Sequence, residues 1–464
     1  MSEVDNISNL YRHDSLIFKI IITVSLFLSW ICLGYHGELF GPFMNTFMHQ
    51  LNTTYTGYGT GLSTRSIGYF VGSIAGGLVG DIYEDHLYLF VSLSLILAGS
   101  ATAILPFCHN IFQFYAVILF SGVSHGTLST AGNPLVHHLW LDKSSGPFNL
   151  IHAGYGLGGL LTSFVIKIFN EAKDHKSVLK PIPSFITSTI ASFVISIPFI
   201  FFLIRHRKFR FAKQIRKKKA TSLLLKKTGS NQEEIETSEP PQTFFTKLKK
   251  ETQDWIGKTK LSNPYLIILI TVIYFCLVGN ERVASKFLYN YTEKGINGTT
   301  RDDAIYVHGT FWLLFSVGRL VVALLTLKVQ IIYLFSAQIT GTVLFSLMVW
   351  VLPREKLYLI IFILLFSGFK SPLFPSMLGV FGRISHITGL VILFIDVGSS
   401  SGAIFYQYIS ALIIEKFGIE TFPIILFTTS LIIFCLSLSL IYFVRKYRKD
   451  FKKEVSNTAQ SIVS

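Results

Sequence analysis

Apolar residues along the chain collect into twelve long blocks, at 16–44, 60–81, 86–107, 110–133, 149–170, 183–204, 264–288, 305–327, 330–352, 356–378, 386–414 and 421–444. An α-helix rising 1.5 Å per residue needs about 20 residues to cross about 30 Å of hydrocarbon, which is the length of these blocks. Backbone groups inside lipid must be hydrogen-bonded within their own segment, so each block predicts one transmembrane helix. The alternating polarity of membrane β-strands is absent. The pattern therefore predicts an all-α integral membrane protein with twelve transmembrane helices.

The polar stretches divide these helices into two sets of six. A polar tail at 1–15 precedes a six-helix unit at 16–204, a basic linker spans 205–263, a second six-helix unit covers 264–444, and a basic tail closes the chain at 445–464. The linker holds 16 basic and six acidic residues. Its Gly229–Glu236 stretch and Pro240-Pro241 predict mostly disordered backbone. Lys and Arg are retained on the cytoplasmic side, which places the linker and both termini there. Residues 1–15 carry no cleavable apolar region, so the first helix is expected to be its own membrane signal. The loops after helices one and seven then lie outside, where Asn52 and Asn297 open glycosylation acceptor patterns. Asn290 opens a third pattern, nearer the membrane.

Composition agrees with this picture and narrows it. Half of the 464 residues are apolar, 14% are charged and 42 are Phe. The net charge of +15 sits largely in the linker and tail, beside the membrane. Anionic lipid, or topology alone, accounts for it, and no nucleic-acid partner is expected. Cys32, Cys276 and Cys435 fall inside apolar blocks and Cys108 stands alone in a loop, so neither a disulfide framework nor a metal site is expected. The chain is expected to act as a monomer.

Two six-helix halves joined by a long linker are the arrangement of major facilitator transporters, whose substrate site lies near the midplane between halves. Gly77-Leu-Val-Gly-Asp81 resembles that superfamily's signature after helix two, although Ile82-Tyr-Glu-Asp-His86 follows in place of the usual basic residues. Further motifs are Arg65 to Gly77, Ser129-Thr-Ala-Gly-Asn133 and Leu139-Trp-Leu-Asp-Lys143 in the first half. In the second half they are Gly279-Asn-Glu281, Phe311-Trp312, Gly318-Arg319 and Phe374-Pro-Ser376. In order and approximate spacing these resemble the sodium-dependent glucose transporter branch of the major facilitators, itself similar to bacterial fucose permeases. The resemblance implies a plasma-membrane carrier of a hexose or related sugar, driven by a cation gradient, with no cofactor beyond a co-transported Na+ and no enzymatic activity.

A sugar site needs hydrogen-bonding side chains and flat aromatics near the midplane. Asn133, His152, Asn280, Glu281 and Trp312 are candidates, as is Glu38. A carboxylate facing lipid costs about 2.5–3.5 kcal/mol, so Glu38 is expected to face the interior. It would there accept a sugar hydroxyl, serve a coupling cation, or pair with Arg65. His152 also suits a plain interhelical hydrogen bond, and Trp312 plain packing. Arg65, Asp81, Arg319, Lys370 and Asp396 are expected to be structural or gating charges, with Lys370 and Asp396 at matching depth for an ion pair.

Ser129 is the departure from the family pattern, in which an acid usually precedes the Thr-small-small-Asn run. A serine neither titrates near neutral pH nor brings a full charge to a cation. Coupling would then rest on Glu38, on Glu281, or on neutral oxygens at and around Ser129. A uniporter, a major facilitator carrier of another small organic solute and a non-transporting sensor are the alternatives. His137 and Asp142 match a His-four-residues-Asp acyltransferase pattern, but no companion motif follows.

Overall fold

The computed structural model describes residues 16–82, 86–140, 145–169, 179–228, 264–352, 355–384 and 389–463. The first half contains α1 Leu16–Glu38, α2 Met44–Gln50, α3 Tyr55–Ile82, α4 Leu87–Ile104, α5 Ile111–Trp140, α6 Ser145–Phe169 and α7 Pro181–Thr228. The second contains α8 Pro264–Lys294, α9 Arg301–Leu325, α10 Ile331–Val351, α11 Lys356–Lys370, α12 Leu373–Phe381, α13 Gly389–Phe417 and α14 Phe422–Val463. Pro42 and Pro372 lie where two of the predicted spans break into α1 with α2 and α11 with α12, since proline removes a backbone donor. Counting each broken pair as one unit gives twelve membrane-length units among the described residues.

Eleven of these units are long and apolar enough to cross a membrane. The exception is α3, a 28-residue helix rich in Gly, Ser and Thr. It packs against α5 and α13, where small residues let backbones approach closely. A Cβ at Gly68 or Gly72 would collide with the Leu119 or Val123 carbonyl of α5, and one at Gly122 or Gly126 with the Arg65 or Tyr69 carbonyl of α3. The reduced hydropathy of α3 thus follows from the small residues that line its contact with α5.

Two helices outrun their predicted ends. α7 continues past 204 to Thr228 and α14 past 444 to Val463. The added stretches are rich in Lys and Arg, both good helix formers, so the expected disorder does not begin at 205. The linker from 229 to 263 and the tail 1–15 lie outside the described residues.

Within the first half, α1 packs on α6, α3 on α5, and α4 on α5 and α7. In the second, α8 packs on α13 and α14, α9 on α11, and α10 on α11 and α14. The halves meet where α3 crosses α13 and α6 crosses α9. Antiparallel neighbours at the α3–α13 crossing are Thr56 with Glu415, Gly59 with Ala411 and Ser63 with Ile404. The two halves therefore point the same way. The end of the bundle where α1 begins and α14 leaves is called the terminal side here, and the opposite end the far side.

The buried apolar residues divide unevenly between these ends. On the terminal side there are two separate clusters, one around Phe18, Leu87, Leu139 and Phe202 in the first half, the other around Leu266, Val380, Val391 and Val444 in the second. On the far side a single cluster runs through both halves, from Leu39, Phe47 and Phe114 to Phe287, Phe311, Tyr406 and Phe422. The halves are sealed at the far side and part toward the terminal side.

Candidate functional site

Charged side chains gather where the seal ends. α1 stops at Glu38, leaving the carbonyls of its last turn without intrahelical partners and its C-terminus favourable to a cation. Lys286 of α8 supplies one. Its Nζ lies 2.7 Å from Glu38 Oε1 and donates to the Gly37 carbonyl at 2.6 Å, with both side chains at most 1% exposed. The Tyr155 hydroxyl of α6 donates to the same carboxylate oxygen at 2.9 Å and accepts from Arg282 Nη1 at 3.0 Å. His308 Nε2 lies 4.0 Å from Glu38 Oε2. Glu38 and Tyr155 belong to one half, Lys286, Arg282 and His308 to the other, so this network stitches the halves together.

The expected Glu38–Arg65 pair is not formed. Arg65 instead donates to His125 Nδ1 and rests 5.4 Å from the Phe40 ring centre. A guanidinium only donates, so His125 Nδ1 must accept and its Nε2 carry the hydrogen. That hydrogen is given to His36 Nδ1 at 3.3 Å, which leaves His36 Nε2–H for Ser192 Oγ at 2.9 Å. Arg65 sets the tautomers of both histidines. Toward the far side the seam continues through Ser163 with His308 Nδ1 at 2.9 Å, Asn45 with Asn290 at 2.6 Å, and the Lys167–Asp302 ion pair.

Trp312 closes this seam. Its indole is fully buried against Gly159, with ring centres 5.5 Å from Tyr155 and 4.9 Å from Phe315. It packs between α6 and α9 and offers no face to a sugar in this arrangement, although its Nε1 hydrogen has no acceptor among the described residues.

The cleft on the terminal side of the seam brings several expected residues together. Asn133 Oδ1 and His152 Nε2 are 3.2 Å apart and half-buried, with the His152 ring 4.5 Å from Phe148 and 5.5 Å from Trp30. Half-buried Ser129 lies beside the Tyr69 side chain. The second half contributes half-buried Glu281, Arg282 and Arg319, and Arg319 acts electrostatically on His152.

Asn280 belongs elsewhere. Its Nδ2 donates to the Leu426 carbonyl, Thr429 Oγ1 and Ser430 Oγ at 2.6–3.2 Å, tying α8 to α14. Nor do Lys370 and Asp396 pair. Lys370 donates to the Leu277 carbonyl at 2.7 Å, while Asp396 is exposed. Matching depth did not suffice, because α11 faces α9 and α10 whereas α13 faces α8 and α3. The Asp81 side chain lies outside the described residues, as do those of His137 and Asp142. Asn52, at φ 46°, and Asn297 are exposed, whereas Asn290 is fully buried. Lys286, Tyr155, His308 and the His36–His125 pair went unread in the sequence. The polar stripe Arg282, Lys286, Asn290 at four-residue spacing in an apolar helix is the signal that marks one of them.

A sequence model described as Major Facilitator Superfamily matches residues 22–371. Sodium-dependent glucose transporter 1 of Rattus norvegicus is 28% identical over 146 residues, 32% of this chain but only 30% of that protein. The Homo sapiens protein of the same name is 21% identical over 426 residues, 86% of this chain and 74% of its own length. Among solved structures, nucleoside transporter NupG superposes with a TM-score of 0.64 at 11% identity, covering 91% of this chain and 99% of NupG. The inward open xylose transporter XylE from E. coli gives 0.61 at 12%, covering 89% and 95%. With the matched residues spanning most of both halves, and with helices built to cross a bilayer, this chain belongs to the major facilitator superfamily.

Proposed function

We propose that this protein carries a hexose or related sugar by alternating access, coupled to a cation, with sodium favoured over the proton. The observation that carries the reading is the uneven core: one apolar seal across both halves at the far side, and two separate cores flanking a polar cleft at the other. Asn133 and His152 on one wall, with Glu281 and Arg282 on the other, supply the donors and acceptors that sugar hydroxyls need. The likeness to glucose transporters points to the same class of solute. Glu38 is the favoured coupling carboxylate, and it changes accessibility only if Lys286 lets go.

The basic linker and tail support cytoplasmic termini, so the terminal side is the inner face and this state opens inward. The protein would then sit in the plasma membrane as a monomer, its Asn52 and Asn297 turned outside and its basic segments beside anionic lipid. Uniport is the second reading, favoured by one specific pair of facts: Ser129 brings no charge, and Glu38 is already neutralised by Lys286. Uptake of labelled glucose, fructose and fucose into proteoliposomes, under separate sodium and proton gradients, tests both. Accumulation with sodium alone is expected. Equilibration without a gradient would establish uniport, and no sugar uptake under any gradient would refute the sugar reading.

A further inference from the structure

The cleft holds more positive charge than its own carboxylates answer. Away from the ends of the spans the described residues include five cations, Arg65, Arg282, Lys286, Arg319 and Lys370, against two carboxylates, Glu38 and Glu281, with Asp396 nearer the terminal side. Lys286 and Glu38 cancel in a close pair. Asp396 is exposed a turn or two from the terminal end of α13, within electrostatic reach of Tyr69 and Tyr274. Glu281 is left to face Arg282, Arg319 and Lys370, all three within its electrostatic reach.

None of those three cations forms an ion pair among the described residues, whose ion pairs lie elsewhere. Arg319 Nε donates to the Ser371 carbonyl at 3.3 Å and the guanidinium stacks 4.7 Å over Phe315, so the side chain is held in place. Its two terminal nitrogens donate to nothing described. Arg282 spends one nitrogen on Tyr155 and Lys370 one hydrogen on Leu277. A cation kept inside the membrane span without a counter-charge is costly, and a guanidinium with its outer fork unused matches a carboxylate or phosphate in two parallel hydrogen bonds.

We propose that the transported solute is anionic, a sugar bearing a carboxylate or phosphate, with the anionic group held by half-buried Arg319 and Arg282, the charge of buried Lys370 behind them, and the hydroxyls turned to Asn133 and His152. This rests on the sugar reading above and adds the charge. The ring lies across the cleft from one half to the other, so binding joins the two walls that must close on it. Glu281, the remaining carboxylate, repels a second anionic group and favours solutes with one.

The test uses the full chain in proteoliposomes, with labelled glucuronate, glucose 6-phosphate and glucose compared at equal concentration and zero membrane potential. At least one of the two anions is expected to exceed glucose about tenfold in kcat/KM, and which one does so separates carboxylate from phosphate. Arg319→Gln is expected to raise the KM for that anion at least tenfold with little change for glucose, and Arg319→Lys to recover part of the loss. If Arg319→Gln does not fold, Lys370→Gln and competition of unlabelled anion against labelled glucose on the native protein carry the comparison. Glucose matching or exceeding both anions would overturn the inference and leave the sugar reading standing. An equal loss for glucose and anion in a variant of unchanged thermal stability would also overturn it. No movement of any of the three would remove the sugar reading itself.

Discussion

Replacing Lys286 with Met keeps the side chain's length and removes its charge. Glu38 is then a fully buried carboxylate whose remaining described hydrogen bond comes from Tyr155, and the Gly37 carbonyl loses its Lys286 donor. Breaking a buried ion pair from one side costs about 3–5 kcal/mol, because the abandoned charge stays out of water. The pair joins the halves only while the far side is sealed, so the cost falls on that state. At about 1.4 kcal/mol per factor of ten, the equilibrium moves toward far-side opening by roughly 10² to 4 × 10³. Glu38→Gln with Lys286→Met removes both charges and should recover most of the loss, since neither neutral side chain is stranded. The assay is the labelling rate of a single cysteine at position 45, in a background with the four native cysteines replaced, together with thermal unfolding. Faster labelling and a lower Tm are expected for Lys286→Met, and near-native values for the double variant. A double variant as open and unstable as the single one would refute the reasoning, because the damage would then come from lost packing and not from a stranded charge.

Three further outcomes follow from the same geometry. Gly122→Val drives a branched side chain into the Arg65 carbonyl and should cost at least about 1–3 kcal/mol, read as a fall in Tm and expression. Asn280→Ala removes the donor to α14 and should lower stability by about 1–3 kcal/mol with the sugar KM unchanged; a raised KM at unchanged Tm would return Asn280 to the substrate site. If the far side is extracellular, Asn52→Gln and Asn297→Gln should abolish any glycosidase-sensitive mobility shift, whereas Asn290→Gln alone should leave it intact, since Asn290 is buried.

The residues that the sequence singled out fared according to the kind of reasoning behind them. Glu38 is interior because an unpaired carboxylate in lipid is too expensive on any topology, and that argument needs only its position in an apolar block. Asn133 and His152 are neighbours because α5 and α6 bring both to one wall. The pairings failed. Arg65 and Lys370 each lie at a plausible depth for the proposed partner, yet a partner also depends on the rotation of each helix about its axis. Rotation is set by packing, and a block apolar on nearly all faces says little about it.

The sequence by itself determined that this chain is helical and crosses the membrane repeatedly, because helix length and apolar content are local quantities fixed by the thickness and dryness of the bilayer. Even the weak hydropathy of α3 was present there, as a run of small residues. Only the tertiary structure decided that Glu38 meets Lys286, that Arg65 sets the tautomers of two histidines, that Trp312 is sealed into a seam, and that the cleft keeps unanswered positive charge. Those facts depend on which faces of distant helices touch, and on which end of the bundle is shut, relations that exist only once the two halves have packed against each other.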